Sequence, residues 1–139
     1  MSWVKYNDYS WQRHQPLKFR AGDEKAKTVV LYSSVVSLDD DSRRLVNSGT
    51  VLCEITSGTG DGKYGPYSKT ASDGRESLTA GLVVVAVEGA DVTLGDKAIG
   101  GWFADCVFDK SELTTGGVSL HGDSLTSLKA ALEQCTFDD

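Results

Sequence analysis

The strongest fold signal in this chain lies in residues 49–81, which read GTVLCEITSGTGDGKYGPYSKTASDGRESLTAG. Val51, Cys53 and Ile55 share one face of an extended chain and the residues between them share the other, so residues 51–56 are predicted to form a strand. Four glycines and one proline follow within nine residues, which predicts sharp turns and positive φ angles. The stretch therefore predicts a strand that leads into a long glycine-rich hairpin.

Further strands are predicted on both sides of this stretch. Upstream, residues 28–37 have the β-branched content of a first strand, bent in its middle. Downstream, Asp73 and the glycine after it mark a turn, and residues 82–87 have the apolar content of a buried strand. Residues 97–108 are predicted to form the last long strand, with a bulge or bend at residues 100–101.

One helix is predicted, close to the C-terminal end. Asp123 or Ser124 can cap it. Its apolar face is expected to carry Leu125, Leu128, Ala131 and Leu132. A single helical turn is predicted at residues 109–113, and Phe137 is expected to hold the tail against the body. The predicted fold class is thus mainly β, a small α+β domain.

Length, charge and cysteine usage exclude several classes of protein. The 139 residues suffice for one domain with a modest core, predicted to span residues 28–139. A net charge of −6 argues against a general nucleic-acid binder. Neither a signal peptide nor the roughly 18–20 apolar residues of a membrane span is recognisable. Cys53, Cys106 and Cys135 are widely spaced, which favours buried or half-buried thiols in a reducing cytoplasm over a disulfide scaffold.

Residues 1–27 differ from the rest of the chain and are expected to form an N-terminal arm. They hold five of the twelve aromatic residues, and residues 1–30 carry six basic and three acidic side chains. A frayed terminus is the alternative, but large aromatic side chains are the usual anchors of interfaces, so we expect an arm that is flexible until bound. The predicted contacts are the anchors Trp3, Tyr6, Tyr9 and Trp11 and the basic residues Arg13, Lys18 and Arg20.

No catalytic, metal or cofactor site is predicted, so an enzyme is not expected. His14 and His121 lack metal-ligand spacing to another histidine or cysteine. Residues 58–63 lack the spacing of a phosphate-binding loop. The three aspartates at residues 39–41 cannot converge on one ion in an extended backbone, and a solvated turn is expected there.

In order along the chain, these features resemble the head decoration proteins of tailed bacteriophages, the lambda protein D family. The resemblance is carried by G-T-V-L at residues 49–52, G-K-Y-G-P-Y at 62–67, D-G-R-E at 73–76 and A-G-L at 80–82. An acidic turn segment, a strand ending near a phenylalanine and a C-terminal K-A-A-L follow. The resemblance covers about residues 45–137, and its specificity comes from the order of the motifs because each alone is weak. The arm is richer in tryptophan than the family pattern.

The resemblance implies a β-clip-like compact β domain with one C-terminal helix and an extended N-terminal arm. It implies a structural head protein that binds as homotrimers at three-fold sites of the expanded capsid and cements neighbouring major capsid subunits. Its partners would be the major capsid protein of the same phage and other copies of itself, with no nucleic acid, membrane or cofactor. The protein would be made in the host cytoplasm and reside on the outer surface of the virion.

Ten motif residues are expected to shape the fold rather than to touch a partner. They are Gly49, Lys63, Tyr64, Gly65, Pro66, Tyr67, Asp73, Gly74, Glu76 and Gly81. Two other functions remain open at this stage. A β module could recognise a glycan or a host surface through exposed Trp102 and Trp3. A trimeric β-clip hydrolase acting on nucleotides is disfavoured because no convergent acid/base set is recognisable.

Overall fold

The computed structural model describes residues 16–18, 22, 24–115, 118–119 and 123–138. Its strands are β1 (Lys25–Leu31), β2 (Leu45–Val46), β3 (Val51–Glu54), β4 (Tyr64–Pro66), β5 (Val83–Ala86), β6 (Ala90–Asp91), β7 (Lys97–Ala104), β8 (Val107–Asp109), β9 (Thr114–Thr115), β10 (Val118–Ser119) and β11 (Thr136–Asp138). The helix α1 spans Asp123–Ala131, and short 3-10 turns span Ser33–Val35 and Lys110–Glu112. The prediction of a mainly β fold with one C-terminal helix is confirmed.

Five of the strands close into a small barrel. Their order is β1-β4-β3-β5-β7, and β7 pairs back onto β1. The neighbours are antiparallel except β1 and β4, which are parallel. The longest ladder runs from Lys25 opposite Ala104 to Leu31 opposite Lys97. Closure gives every strand of the barrel a partner on both sides, so the barrel presents no sheet edge.

The predicted strand and glycine-rich hairpin are β3 and its connection to β4. The two strands pair antiparallel, with Cys53 opposite Gly65. Both faces of β3 are buried: Val51 and Cys53 belong to one apolar cluster and Leu52 belongs to another. The alternation read in the sequence therefore separates two cores rather than a core from solvent.

The two cores lie on opposite faces of the barrel wall. The barrel interior receives side chains from all five strands, among them Val29, Leu31, Leu52, Tyr64, Val84, Ala86 and Ile99. A second cluster, the outer layer, covers the other face of β3, β5 and β7. There Val51, Val85 and Trp102 pack in one group with Phe108 and Leu128.

The glycine pair in β7 does not form the predicted bulge. The β1–β7 ladder runs regularly through Gly100 and Gly101, and its irregularity lies between Lys25 and Ala26. A Cβ on Gly101 would lie 2.5 Å from Cγ2 of Val84, so this glycine is required by close packing. The predicted strand 97–108 is instead interrupted at Asp105, whose φ is 56°, and it continues as β8.

The predicted first strand differs from β1 at both ends. It begins at Lys25, three residues before the expected start at Thr28, and it ends at Leu31 instead of reaching Ser37. Beyond it the chain turns, and the Ser33 N–H in this turn donates to the Asp96 carboxylate at 2.8 Å. Residues 33–35 form a 3-10 turn, whereas the second half of a bent strand was predicted there.

The C-terminal helix packs as predicted. Leu128 and Leu132 are buried in the outer layer, while Lys129 and Glu133 are exposed. Beyond α1, β11 runs parallel to β8, and the rings of Phe137 and Phe108 lie 5.3 Å apart. The prediction that Phe137 holds the tail is confirmed.

Residues from the predicted arm complete a small sheet with β8 and β11. Leu17 forms an antiparallel bridge with Phe108, and it is 2% exposed. The Lys18 N–H donates to the Val107 carbonyl at 2.7 Å, and the Asp109 N–H donates to the Pro16 carbonyl at 2.8 Å. We call residues 16–18, β8 and β11 the outer sheet. It joins segments from near both ends of the chain to one central strand.

Candidate interaction surface

The motif residues surround the hairpin that follows β3. Gly49 takes a φ of 84°, a backbone conformation that favours glycine. Its N–H donates to the Ala86 carbonyl at 2.9 Å, and its carbonyl accepts from the Thr114 N–H at 3.0 Å. Gly49 therefore joins β5 to the segment that carries β9.

Lys63 fastens the hairpin to the turn before β7. Its Nζ lies 2.6 Å from the Asp96 carboxylate and 5.1 Å from the centre of the Tyr32 ring. The hydrogen bond from Lys63, followed by that from the Ser33 N–H, lowers the pKa of Asp96 below its usual value. This is an exposed electrostatic clamp, and pairs of this kind contribute modestly to stability.

The two tyrosines of the motif point into the two different cores. Tyr64 lies in the barrel interior, where burial, and then the nearby Glu54 carboxylate, raise its pKa to about 12. Tyr67 lies in the outer layer, and its hydroxyl forms a 3.3 Å hydrogen bond with Ser124 at the start of α1. Its carbonyl accepts from the Thr115 hydroxyl. The segment around Gly65 is therefore part of the barrel wall and contributes one tyrosine to each core.

Arg75 connects the turn at residues 73–76 to β4. Its Nε lies 3.1 Å from an Asp73 carboxylate oxygen, and its guanidinium donates to the Pro66 carbonyl at 3.2 Å. Burial opposes ionisation of Asp73, but the hydrogen bonds from Arg75 outweigh it and lower its pKa. A Cβ on Gly65 would lie 2.4 Å from Val35 and 2.8 Å from Arg75, so only glycine fits there.

The D-G-R-E turn has further internal support. Gly74 has a φ of 115° and donates its N–H to the Glu76 carboxylate at 2.8 Å. A Cβ on Gly74 would lie 2.8 Å from the backbone nitrogen of Thr56. Gly81 has a φ of 86°, and its carbonyl accepts from Lys27 at 3.5 Å. The Gly74 hydrogen bond closes the turn itself, and the Lys27 hydrogen bond joins the end of this segment to β1.

Most of the predicted partner-binding residues lie outside the described part of the chain. They are Trp3, Tyr6, Tyr9, Trp11, Arg13 and Arg20, and their roles stay predictions. Lys18 is described, and it is exposed beside the central strand of the outer sheet. The outer sheet therefore marks where the aromatic N-terminal segment joins the domain.

The prediction of an exposed aromatic platform at Trp102 is wrong. Trp102 is 7% exposed and lies within the outer layer, because the side chains at alternate positions of β7 face opposite cores. Trp3, the other residue of that glycan-binding hypothesis, lies outside the described residues. The domain itself thus offers no exposed indole at position 102.

Acidic groups form structural turns in the described residues. The Asp39 carboxylate accepts the N–H groups of Asp41 and Arg43 at 2.9 Å, and Arg43 pairs with Asp41 at 2.8 Å. The expected turn at residues 39–41 is confirmed.

Within the described ranges, no group of three or more His, Cys, Asp or Glu side chains is placed to hold a metal ion. No described helix is both long and apolar enough to cross a membrane.

Two structural features were not predicted from the sequence. Leu17 is a buried anchor, and the only local signal for it is an apolar pair, Pro16 and Leu17, in a polar stretch. Cys106 and Cys135 meet across β8 and β11, although they are far apart in the chain. Pairing of this kind depends on tertiary structure, so no sequence spacing identifies it.

Comparison of the chain with protein-family models, curated proteins and solved structures finds no match. The resemblance described above therefore stays a prediction based on the motif residues.

Proposed function

We propose that this protein decorates and stabilises the head of a tailed bacteriophage. In this proposal it binds as trimers at three-fold sites of the expanded capsid, where it cements neighbouring major capsid subunits. The domain is a β-clip-like fold in which the barrel is the rigid body and the N-terminal segment makes the capsid contact. The virion surface is then its working location.

The observation that carries the proposal is the anchoring of residues 16–18 on the outer sheet. Leu17 is buried against Phe108, and the backbone of this segment is hydrogen-bonded to both ends of β8. The aromatic and basic stretch of residues 1–15 is thereby joined to the domain directly at the outer sheet. A segment tethered in this way binds a partner at a defined position.

The composition of residues 1–15 suits addition to another protein. Such a segment can gain affinity from main-chain hydrogen bonds to a sheet edge and specificity from pockets for its side chains. Trp3, Tyr6, Tyr9 and Trp11 would supply the anchors, and Arg13 would complement an acidic patch. Three such segments on one trimer would bind with avidity, so each single contact can be weak.

The anchoring also decides how the proposal is tested. Deletion of residues 1–27 would remove Leu17 and the first three residues of β1, and it would damage the barrel. The informative variant lacks only residues 2–15. We expect it to keep its melting temperature and to lose binding to expanded heads that lack the native protein, measured by co-sedimentation and cryo-imaging.

A matched control keeps the length of the segment but changes its chemistry. In this control, residues 2–15 are replaced by a Gly/Ser sequence of the same length, and it should also fail to bind. Undiminished binding by either variant, with density at the three-fold sites, would show that the segment is not the contact. Folded protein that never occupies the heads would contradict the proposed function itself.

A further inference from the structure

The structure brings two cysteines together at one end of the outer sheet. In the parallel pairing of β8 and β11, Thr136 lies opposite Val107, so the residues before them, Cys135 and Cys106, are also opposite. Two backbone hydrogen bonds bracket the pair: Thr136 N–H to the Cys106 carbonyl at 2.9 Å, and Asp105 N–H to the Gln134 carbonyl at 3.2 Å. The register is therefore fixed on both sides of the cysteines.

The spacing of the two backbones suits a disulfide. Neighbouring strands lie about 4.8 Å apart, which is within the Cα separation of roughly 4.4–6.8 Å that disulfides bridge. The interaction with the other thiol is the largest cause of the pKa shift of each cysteine, which fits two side chains that face one another. The Cys106 thiol donates a hydrogen bond to the Ala104 carbonyl at 3.2 Å. Bond formation thus requires little movement of the backbone.

The two thiols are chemically unequal. The side-chain interaction with Cys106 lowers the pKa of Cys135 to about 7, although burial works against this shift. The same interaction, together with burial, raises the pKa of Cys106. Since the thiolate is the nucleophile in thiol–disulfide exchange, Cys135 is the attacking group and Cys106 is the resolving group.

A shallow surface pocket reaches Cys106 and the two residues that flank Cys135 in the chain. It has a volume of about 550 Å³ and is lined by Lys25, Asp105, Cys106, Val107, Gln134 and Thr136. Cys135 is only half-buried between two of these lining residues. Cys53, by contrast, is fully buried in the outer layer, and burial raises its pKa to about 12. Cys53 therefore serves as an unreactive control thiol within the same chain.

We propose that Cys106 and Cys135 are a redox-active pair that forms an intramolecular disulfide with a small disulfide oxidant such as oxidised glutathione. The Cys135 thiolate attacks one sulfur of the oxidant, whose S–S bond breaks and releases one glutathione thiolate. Cys106 then loses its proton and attacks the Cys135 sulfur, which displaces the second glutathione. Two protein thiols are oxidised by two electrons, one disulfide is reduced to two thiols, and the two protons pass to glutathione.

The disulfide would lock the C-terminal strand onto the domain. It closes a loop of roughly 30 residues that includes α1 and β9, and this restricts the unfolded chain. For a chain of this size we expect the melting temperature to rise by on the order of 10 °C. The protein would then have a lower melting temperature in a reducing cytoplasm than in an oxidising medium.

Peptide mapping tests the proposal directly, because trypsin places each cysteine on its own peptide. Cys106 falls in residues 98–110, Cys135 in residues 130–139 and Cys53 in residues 45–63. After equilibration with oxidised glutathione and acid quenching, we expect a cross-linked pair of peptides 98–110 and 130–139, a mass loss of two hydrogens and an intact Cys53 thiol. Dithiothreitol should restore all three thiols.

Three variants separate the disulfide from other effects of oxidation. Cys106→Ser and Cys135→Ser should each abolish the oxidant-dependent rise in melting temperature, whereas Cys53→Ala should retain it. The peptide map of the native chain gives the answer even if a variant fails to fold. Free thiols at both positions under excess oxidant would overturn the proposal. So would cross-links only between chains, or an equal thermal shift in Cys135→Ser.

Discussion

The barrel and the outer sheet are built in opposite ways from the same chain. The barrel has antiparallel ladders of up to seven paired positions and one short parallel pairing between β1 and β4, and no strand in it has an open edge. The outer sheet consists of short segments, and its central strand β8 is paired by residues 16–18 on one side and by β11 on the other. The barrel therefore has much longer backbone ladders, whereas the short segments of the outer sheet also need the side-chain packing around Phe108.

The largest effect should come from removing that packing. Phe108 is fully buried and contacts both outer partners, Leu17 and Phe137. Phe108→Ala should lower the free energy of unfolding by about 4 kcal/mol, because it leaves a large cavity. Denaturant unfolding measures this change, and hydrogen exchange should show lost protection in residues 136–138 before the barrel. Equal loss in both regions would contradict two separable layers.

A smaller effect is expected from overpacking the barrel interior. Gly101→Ala places a methyl group 2.5 Å from Cγ2 of the fully buried Val84. The strain should cost about 2 kcal/mol of stability in the same unfolding experiment. Gly100→Ala is the matched control, since its Cβ would lie at 3.2 Å from the partly exposed Val87. If both variants were equally stable, the close approach of β5 and β7 would not limit the barrel.

A still smaller effect should follow from the clamp between Lys63 and Asp96. The pKa of Asp96 is lowered in the folded protein, so its contribution to stability is present above about pH 4 and is lost as the pH falls through the folded value. Both side chains are partly exposed, so Asp96→Asn should cost about 0.5 kcal/mol at pH 7 and progressively less as the pH falls through the folded pKa of Asp96.

The control for the clamp is Asp61→Asn, which changes an exposed carboxylate on the same hairpin. Thermal unfolding should show no comparable pH-dependent difference from the native chain. A constant loss in Asp96→Asn at every pH would show that the side chain acts through hydrogen-bond geometry rather than charge.

The outer sheet can also be probed without changing stability, through the reactivity of Cys135. Its alkylation rate should rise with pH around a midpoint of about 7, because the thiolate reacts. In Cys106→Ala the midpoint should move toward the ordinary value of about 8.5, which lowers the rate at pH 7 by about tenfold. Glu24, Lys25 and Asp105 are the charged groups near the pair and stay unchanged. If the midpoint for Cys135 alkylation stayed at about 7 in Cys106→Ala, Cys106 would not be the group that lowers the pKa of Cys135.

Local patterns predicted those elements whose signal lies within a few neighbouring residues. The alternation at Val51 and Cys53, the glycine-rich hairpin and the apolar face at Leu128 and Leu132 are all confirmed. The bulge at Gly100 and the strand end at Ser37 were wrong because other segments determine them. In β7, Gly101 lies in close contact with Val84. After β1, the Ser33 N–H in the turn donates to Asp96.

The candidate surface could be predicted only in part. Its composition, with aromatic and basic residues before Pro16, is visible in the sequence. The anchoring of Leu17 on Phe108 is not, because a single buried leucine in a polar stretch has no periodicity to identify it. The same holds for Cys106 and Cys135, which are brought together by the pairing of the strands that follow them.

By itself, the amino-acid sequence determined the β-rich class, the hairpin after β3, the C-terminal helix and the basic character of residues 1–30, because short-range periodicity and composition suffice for these. Barrel closure, the burial of Trp102 and the joining of residues 16–18, β8 and β11 were settled only in three dimensions. Each depends on which distant segments share an edge or a core, and a local pattern contains no information about that choice.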